Sequence, residues 1–141
     1  MAKLCILGFF LILASPTLSF AQEILGFSCG FAGTATPVVE EVTSWANKGE
    51  SSKLLKALHE GSSAQRVLAL VTLEELAKMN RVVLEQADLD QISGLLNNQA
   101  KVKWCSGCTV LEQVSLKELL REDDPYLLRR LTLARVKHAL R

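Results

Sequence analysis

Apolar residues recur at helical spacing through most of the chain after its first 36 residues. The pattern predicts a first helix over 37–47, with Thr36 as a candidate N-cap and a proline in the first turn. A second helix is predicted over 51–61, where a glycine ends it, and a third over 62–80. Between Val67 and Leu73 the apolar side chains point in every direction, which predicts a helix that is buried on most sides.

The second half of the chain continues the helical pattern. Residues 84–96 are predicted to form a helix with Asp88 as a cap, and 109–121 and 126–141 to form two more, separated by a turn over 122–125. The stretch 101–104 alternates polar and apolar residues, and is the only strand-like segment that the sequence indicates in the mature chain. We therefore predict an all-α fold.

Two of the predicted helices resemble each other in sequence. Residues 66–78 align without gaps to 109–121, an offset of about 43 residues, which lies within the period of HEAT and armadillo repeats. Six aligned pairs are identical: Val67/Val110, Leu68/Leu111, Val71/Val114, Leu73/Leu116, Glu75/Glu118 and Leu76/Leu119. A shorter preceding helix also recurs, with 54–58 echoed by 92–96.

The end of the chain strengthens this resemblance. Asp124-Pro125, followed by an apolar residue, arginine and helically spaced apolar residues up to Leu140, resembles the second helix of a HEAT repeat. The resemblance to HEAT-like helical repeat proteins covers about 51–141. It implies a short right-handed stack of helical hairpins that presents a groove to partner proteins. An irregular helical bundle is the alternative architecture.

The N-terminus predicts a cleavable secretory signal peptide over 1–21. Lys3 gives a positive start, an apolar run follows over 4–14, and small residues at Ser19 and Ala21 suit signal peptidase. The apolar run is shorter than the roughly 20 residues of a spanning helix. We expect cleavage before Gln22 and a secreted or periplasmic mature protein without a membrane span.

The mature chain is predicted to be an irregular leader over 22–36 followed by one domain over 37–141. The leader is rich in Gly, Ser and Thr, and Phe27 and Phe31 are expected to attach it to the core. The chain has 16 basic and 15 acidic residues, and loss of Lys3 makes the two numbers equal. A neutral, exported chain is not expected to bind nucleic acid.

Three cysteines, Cys29, Cys105 and Cys108, remain after Cys5 leaves with the signal peptide. An odd number in an oxidising compartment predicts one internal disulfide with a leftover thiol, an intermolecular bridge or a reactive site. We favour a bond from Cys29 to Cys105 or Cys108 that ties the leader to the domain. A local Cys105–Cys108 bond is the next alternative.

The segment Trp104-Cys105-Ser106-Gly107-Cys108 resembles the Trp-Cys-x-x-Cys active site of thioredoxin-like proteins. This resemblance implies Cys105 as the nucleophile and Cys108 as the resolving thiol. The chain departs from that family because helices, rather than strands, are predicted after Cys108, and its only later proline is Pro125. A thiol–disulfide redox protein is therefore the alternative function.

Other chemistry has little support in the sequence. Two cysteines at this spacing are half of a common zinc site, but no second ligand pair follows, so we expect no metal. No phosphate-binding or dinucleotide motif is present, so we expect no cofactor. Arg129, Arg130, Lys137 and Arg141 would share one helical stripe, which makes them candidates for docking an acidic protein partner or an anionic envelope surface. We therefore expect a non-enzymatic interaction or structural module. An enzyme or ligand carrier whose site has no sequence motif is a third alternative.

Overall fold

The computed structural model describes residues 23–107, 110–137 and 139–141. The predicted signal peptide and Cys108 lie outside these residues. Within them the chain forms an α+β fold in which helices pack against a three-stranded mixed sheet. The elements are β1 (Ile24–Leu25), α1 (Pro37–Asn47), α2 (Ser51–Glu60), α3 (Ser63–Lys78), α4 (Gln86–Leu96), β2 (Lys101–Ser106), β3 (Val110–Ser115), α5 (Leu116–Leu119) and α6 (Leu128–Arg135).

The predictions of an all-α stack of helical hairpins and of an irregular helical bundle are therefore wrong, because the sheet is part of the core. Its buried residues include Leu25, Val102, Trp104 and Val114, which belong to the same apolar core as the helices. The first four helices are confirmed, however, and their ends follow local signals. Ser62 begins α3 with a capping box, in which its hydroxyl accepts from the Gln65 N–H.

Helix α3 is the centre of the molecule. Its residues Val67 to Leu73 are all buried, as the continuous apolar pattern predicts. It packs against α1 and α2 on one side and against β2 and α6 on others. The apolar stretch 67–73 is stable as a helix here because neighbouring elements cover it on every side.

Strand β2 is the central strand of the sheet. It pairs in parallel with β1, where Leu25 lies opposite Trp104, and in antiparallel fashion with β3, where Val102 lies opposite Val114. These four residues are buried on the inner face of the sheet. Ile24, which precedes Leu25, is 40% exposed on the outer face, as the strand period of two requires.

The predicted helix over 109–121 is wrong. Residues 110–115 form β3, and only Leu116–Leu119 are helical. Strand β2 lies immediately upstream and offers a complete row of backbone partners, so this segment satisfies its backbone groups by pairing instead of by helix formation. Ser115 then ends the strand and caps α5, because its hydroxyl accepts from the Glu118 N–H.

Two further differences concern the ends of the domain. The leader is not wholly irregular, since Ile24–Leu25 form β1. The last helix is shorter than the predicted 126–141: Asp124 accepts from the backbone N–H groups of Arg129 and Arg130 at its start, and it ends at Arg135. In the described part of the chain, every helix is too short or too polar to cross a membrane.

Candidate functional site

A disulfide joins Cys29 of the leader to Cys105 of β2, with 5.8 Å between their Cα atoms. This is one of the pairings that the sequence left open. The bond closes a long loop, since the two cysteines are 76 positions apart in the sequence. In the chain-entropy model such a closure stabilises the folded state by about 4 kcal/mol. The leader is thereby fixed to the central strand of the sheet.

Gly26 makes this disulfide possible. A Cβ atom at this position would overlap the Cys29 Sγ atom and would lie 2.7 Å from the Cys105 carbonyl oxygen. The side chain of Thr36, the predicted N-cap of α1, contacts the backbone of Gly26. Its Oγ1 atom lies 3.3 Å from both the N–H and the carbonyl oxygen of Gly26, and it makes no side-chain cap bond to α1.

The leader next forms a tight hairpin over 29–34. Cys29 and Thr34 exchange two backbone hydrogen bonds, and the turn between them uses positive φ angles at Gly30 and Gly33. The Gly30 N–H also donates to the Gly107 carbonyl oxygen, which attaches the hairpin to the end of β2. Phe31 lies at the tip and is 95% exposed. The sequence-based expectation that Phe31 attaches the leader to the core is therefore wrong.

Phe27, by contrast, is buried and forms one wall of an aromatic cluster. Its ring centroid lies 6.2 Å from that of Trp104, and the Trp104 centroid lies 5.5 Å from that of Tyr126 in an edge-to-face arrangement. These rings line a cavity of about 380 Å³, which we call the aromatic cavity. The other described residues that line it are Ser28, Cys105, Ser106, Gly107, Glu112, Pro125, Leu127 and Leu131.

The electrostatic environment of the aromatic cavity is acidic. Among the described residues that line it, Glu112 is the only charged one. Burial raises the pKa of the Tyr126 hydroxyl, and the nearby carboxylates of Glu112 and Glu118 raise it further. Arg121 opposes this effect, but its guanidinium is paired with Asp123 at 2.8 Å. The hydroxyl therefore stays neutral, and it hydrogen-bonds to the Glu118 side chain.

A histidine–carboxylate pair lies elsewhere, between α2 and α4. The His59 Nε2 atom lies 2.6 Å from Asp88 Oδ1, and Asp88 Oδ2 accepts from the Glu85 N–H in the capping box of α4. Asp88, predicted as a cap, is therefore the third helical residue, and Glu85 is the N-cap residue. Hydrogen bonds from His59 and Glu85 lower the pKa of Asp88. Both contacts have a clear structural role.

A second concavity of about 500 Å³ lies at the N-terminus of α3. Its lining includes the cationic residues Arg66 and Lys101 and the acidic residues Glu23 and Glu60. The Ser62 hydroxyl donates to the Glu23 carboxylate, so an acid of the chain itself already lies at this helix N-terminus. The opposite charges are balanced, and we do not assign a ligand to this concavity.

The four basic residues that the sequence grouped as a docking stripe do not share one helix. Arg129 pairs with Glu74 at 2.5 Å, and both side chains are mostly buried between α6 and α3. Arg130 is exposed on α6, whereas Lys137 and Arg141 are exposed beyond its end. The segment after α6 is held by Asn47, whose side-chain amide contacts the backbone of residues 135 and 139.

Sequence reasoning missed the aromatic cavity. Its three rings come from the leader, β2 and the loop before α6, so no local motif marks it. Among the residues that the structure describes, no group of three metal-ligating side chains comes together. Cys105 is bonded to Cys29, so the alternative redox pair Cys105/Cys108 has one member already engaged.

Comparisons with known proteins give no relative for this chain. No protein-family model, no curated protein and no solved structure matches it.

Proposed function

We propose that this chain is an exported, disulfide-braced α+β binding module without enzymatic activity. Its binding face comprises the aromatic cavity and the hairpin over 29–34. The two adjoin each other, because Gly107 lines the cavity and also bonds to the base of the hairpin. Its partner is a protein or ligand met outside the cytoplasm.

The Cys29–Cys105 disulfide is the observation that carries this proposal. It fixes the leader between Phe27, which lines the cavity, and Phe31, which projects into solvent. An isolated exposed phenylalanine on a mobile loop would lose side-chain and backbone entropy on binding. The hairpin attached by the disulfide has already lost much of this conformational freedom on folding. Less entropy is therefore lost on binding, and burial of its projecting aromatic residue contributes more to affinity.

The remaining polar clusters favour a binding role over catalysis. His59 and Asp88 connect α2 to α4, and Arg129 and Glu74 connect α6 to α3. Each of these pairs has a structural task at a helix boundary or between helices. Neither lies among the residues that line the aromatic cavity.

Site-specific photo-crosslinking tests the proposed face. A photoreactive phenylalanine analogue is placed at Phe31 in the full chain, expressed in its own cells. Val83, which is 85% exposed between α3 and α4, is the matched control position. We expect a discrete adduct from position 31 that is absent from position 83 and is lost when Cys29→Ser is added. Identical adducts at both positions, or none at position 31, would contradict the proposal.

Thiol–disulfide exchange through Cys105 and Cys108 is the second candidate function. Cys108 follows Cys105 by three positions, so its thiolate could attack the Cys29–Cys105 bond, form a Cys105–Cys108 bond and release the Cys29 thiolate. Equilibration with glutathione buffers separates the candidates. A redox protein exchanges at potentials near those of glutathione, whereas a structural disulfide has a reduction potential below about −300 mV and stays oxidised in these buffers.

A further inference from the structure

We propose that the aromatic cavity binds an organic ammonium group, by cation–π contact with its rings and by ion pairing with Glu112. This inference deepens the proposed function and rests on it, because it names the chemical group that the binding face recognises. The bound group is either a free small amine or a lysine side chain of a protein partner.

The rings supply the first part of the argument. The ring centroid of Trp104 lies 6.2 Å from that of Phe27 and 5.5 Å from that of Tyr126. All three residues line the same cavity. The faces of such rings carry negative potential, and a cation within about 6 Å of a ring centroid is attracted to it. Tryptophan gives the strongest attraction, and Trp104 is the ring shared by both pairs.

The charge distribution supplies the second part. Glu112 is exposed on β3 opposite Trp104, so the two side chains share one face of the sheet, and both residues line the cavity. Glu118 adds a second negative charge near the Tyr126 hydroxyl. Both carboxylates disfavour an anionic ligand and favour a cationic one.

Two cations of the chain near the cavity are already paired. Arg121, near Tyr126, contacts Asp123 at 2.8 Å. Arg135, whose guanidinium donates to the Phe27 carbonyl oxygen, contacts Glu40 at 2.8 Å. The Glu112 carboxylate has no such partner among the described contacts of the cavity lining, and a bound ammonium group would supply one.

The size of the cavity is compatible with this ligand class. A volume of about 380 Å³ is at the small end of the range for ligand sites in proteins. It accommodates a trimethylammonium or butylammonium group. Leu127 at its edge is 47% exposed and has a φ angle of +55°, a conformation that is uncommon for leucine.

Titration of the disulfide-bonded protein with choline tests the inference. Its neutral carbon analogue 3,3-dimethylbutan-1-ol is the paired probe, at constant ionic strength. Binding is followed by the indole N–H signals of Trp104 and Trp45 in NMR spectra. We expect the Trp104 signal to shift on addition of choline, with a dissociation constant at least fivefold lower than that of the alcohol. Equal affinities for the two, or no shift of Trp104, would overturn the inference.

Charge-neutralising variants make the test specific. Glu112→Gln keeps the shape of the cavity and is expected to weaken choline binding at least fivefold. Glu122→Gln removes the same charge from an exposed position that does not line the cavity, and is expected to leave the affinity within twofold of the parent. Unchanged binding in Glu112→Gln, or equal losses in both variants, would overturn the role of Glu112.

The source of the cation is tested with a third probe, a blocked tripeptide with a central lysine. Tighter binding of the peptide than of butylammonium assigns the site to a protein partner, and the reverse order assigns it to a free amine. Failures of the two proposals are also distinct. An intact Phe31 crosslink without ammonium preference overturns this inference alone, and ammonium binding without a Phe31 crosslink contradicts the proposed hairpin contact alone.

Discussion

Gly26 and Cys29 approach each other so closely that any Cβ atom at position 26 would overlap the Cys29 sulfur. The relationship explains why the leader can lie flat on β2 while its cysteine reaches Cys105. It also makes Gly26 a sensitive test of the brace, because the residues around it belong to the backbone and to the disulfide and cannot rotate away.

Gly26→Ala is therefore expected to destabilise the protein by about 1–3 kcal/mol, as overpacking of a filled site does. The variant should also form the Cys29–Cys105 bond more slowly during oxidative refolding. Urea unfolding and thiol trapping measure the two effects. Gly94→Ala is the matched control, since a Cβ atom on α4 meets nothing within 4 Å there. Helix propensity predicts a gain of up to about 1 kcal/mol for that control; equal losses in both variants would contradict this account.

The disulfide itself is expected to contribute about 4 kcal/mol to the free energy of unfolding. The double variant Cys29→Ser/Cys105→Ser should therefore unfold at a markedly lower urea concentration than the parent. Cys108→Ser should unfold with a midpoint close to that of the parent, because it leaves the bond intact. Comparable losses of unfolding free energy in the double variant and in Cys108→Ser would show that the stabilising bond is a different one.

The His59–Asp88 contact predicts a specific dependence of stability on pH. The pKa of Asp88 is lowered from 3.8 by hydrogen bonds from His59 and Glu85, so the folded state binds its proton less tightly than the unfolded state does. The stabilisation is complete above pH 3.8 and is lost as the pH falls through the lower folded-state value. Asp88→Asn should therefore reduce the fall in the free energy of unfolding as the pH is lowered below 3.8, which we call the acid limb of the pH profile. Asp90→Asn, an exposed neighbour on α4, should keep that limb as it is in the parent.

Arg129 and Arg130 are expected to differ in their effect on stability. Arg129→Ala leaves Glu74 without its mostly buried partner and should cost about 1–2 kcal/mol. Arg130→Ala removes an exposed side chain and should change stability by less than about 0.5 kcal/mol. Chemical denaturation of the two single variants measures this difference. Equal effects would indicate that Arg129 is a surface residue of the kind the sequence suggested.

Local signals predicted α1 to α4 because their caps, glycines and apolar spacing lie within each segment. The same signals failed at 109–121, where Val110, Leu111 and Val114 have the spacing of one helix face, although Val110 and Val114 alone also fit one face of a strand. Pairing with β2 decides between them, and pairing is not a local property. Strand β1 has only two residues, so its alternation could not be detected in the sequence.

The candidate site was predictable only in part. Three cysteines limited the possible pairings, but distance along the chain could not choose among them. The aromatic cavity depends on residues 27, 104 and 126, which come together only once the leader lies on β2. Phe31 illustrates the limit: an aromatic residue in a glycine-rich leader suggests core packing, and the hairpin instead turns it outward.

Disulfide mapping of the exported protein tests the central claim most directly. Both Cys105 and Cys108 lie in the tryptic peptide 104–117, so fragmentation between them is needed to assign the bond. We predict a mature N-terminus at Gln22, a Cys29–Cys105 linkage and Cys108 as the only alkylated thiol. A Cys105–Cys108 linkage with alkylated Cys29 would contradict the account.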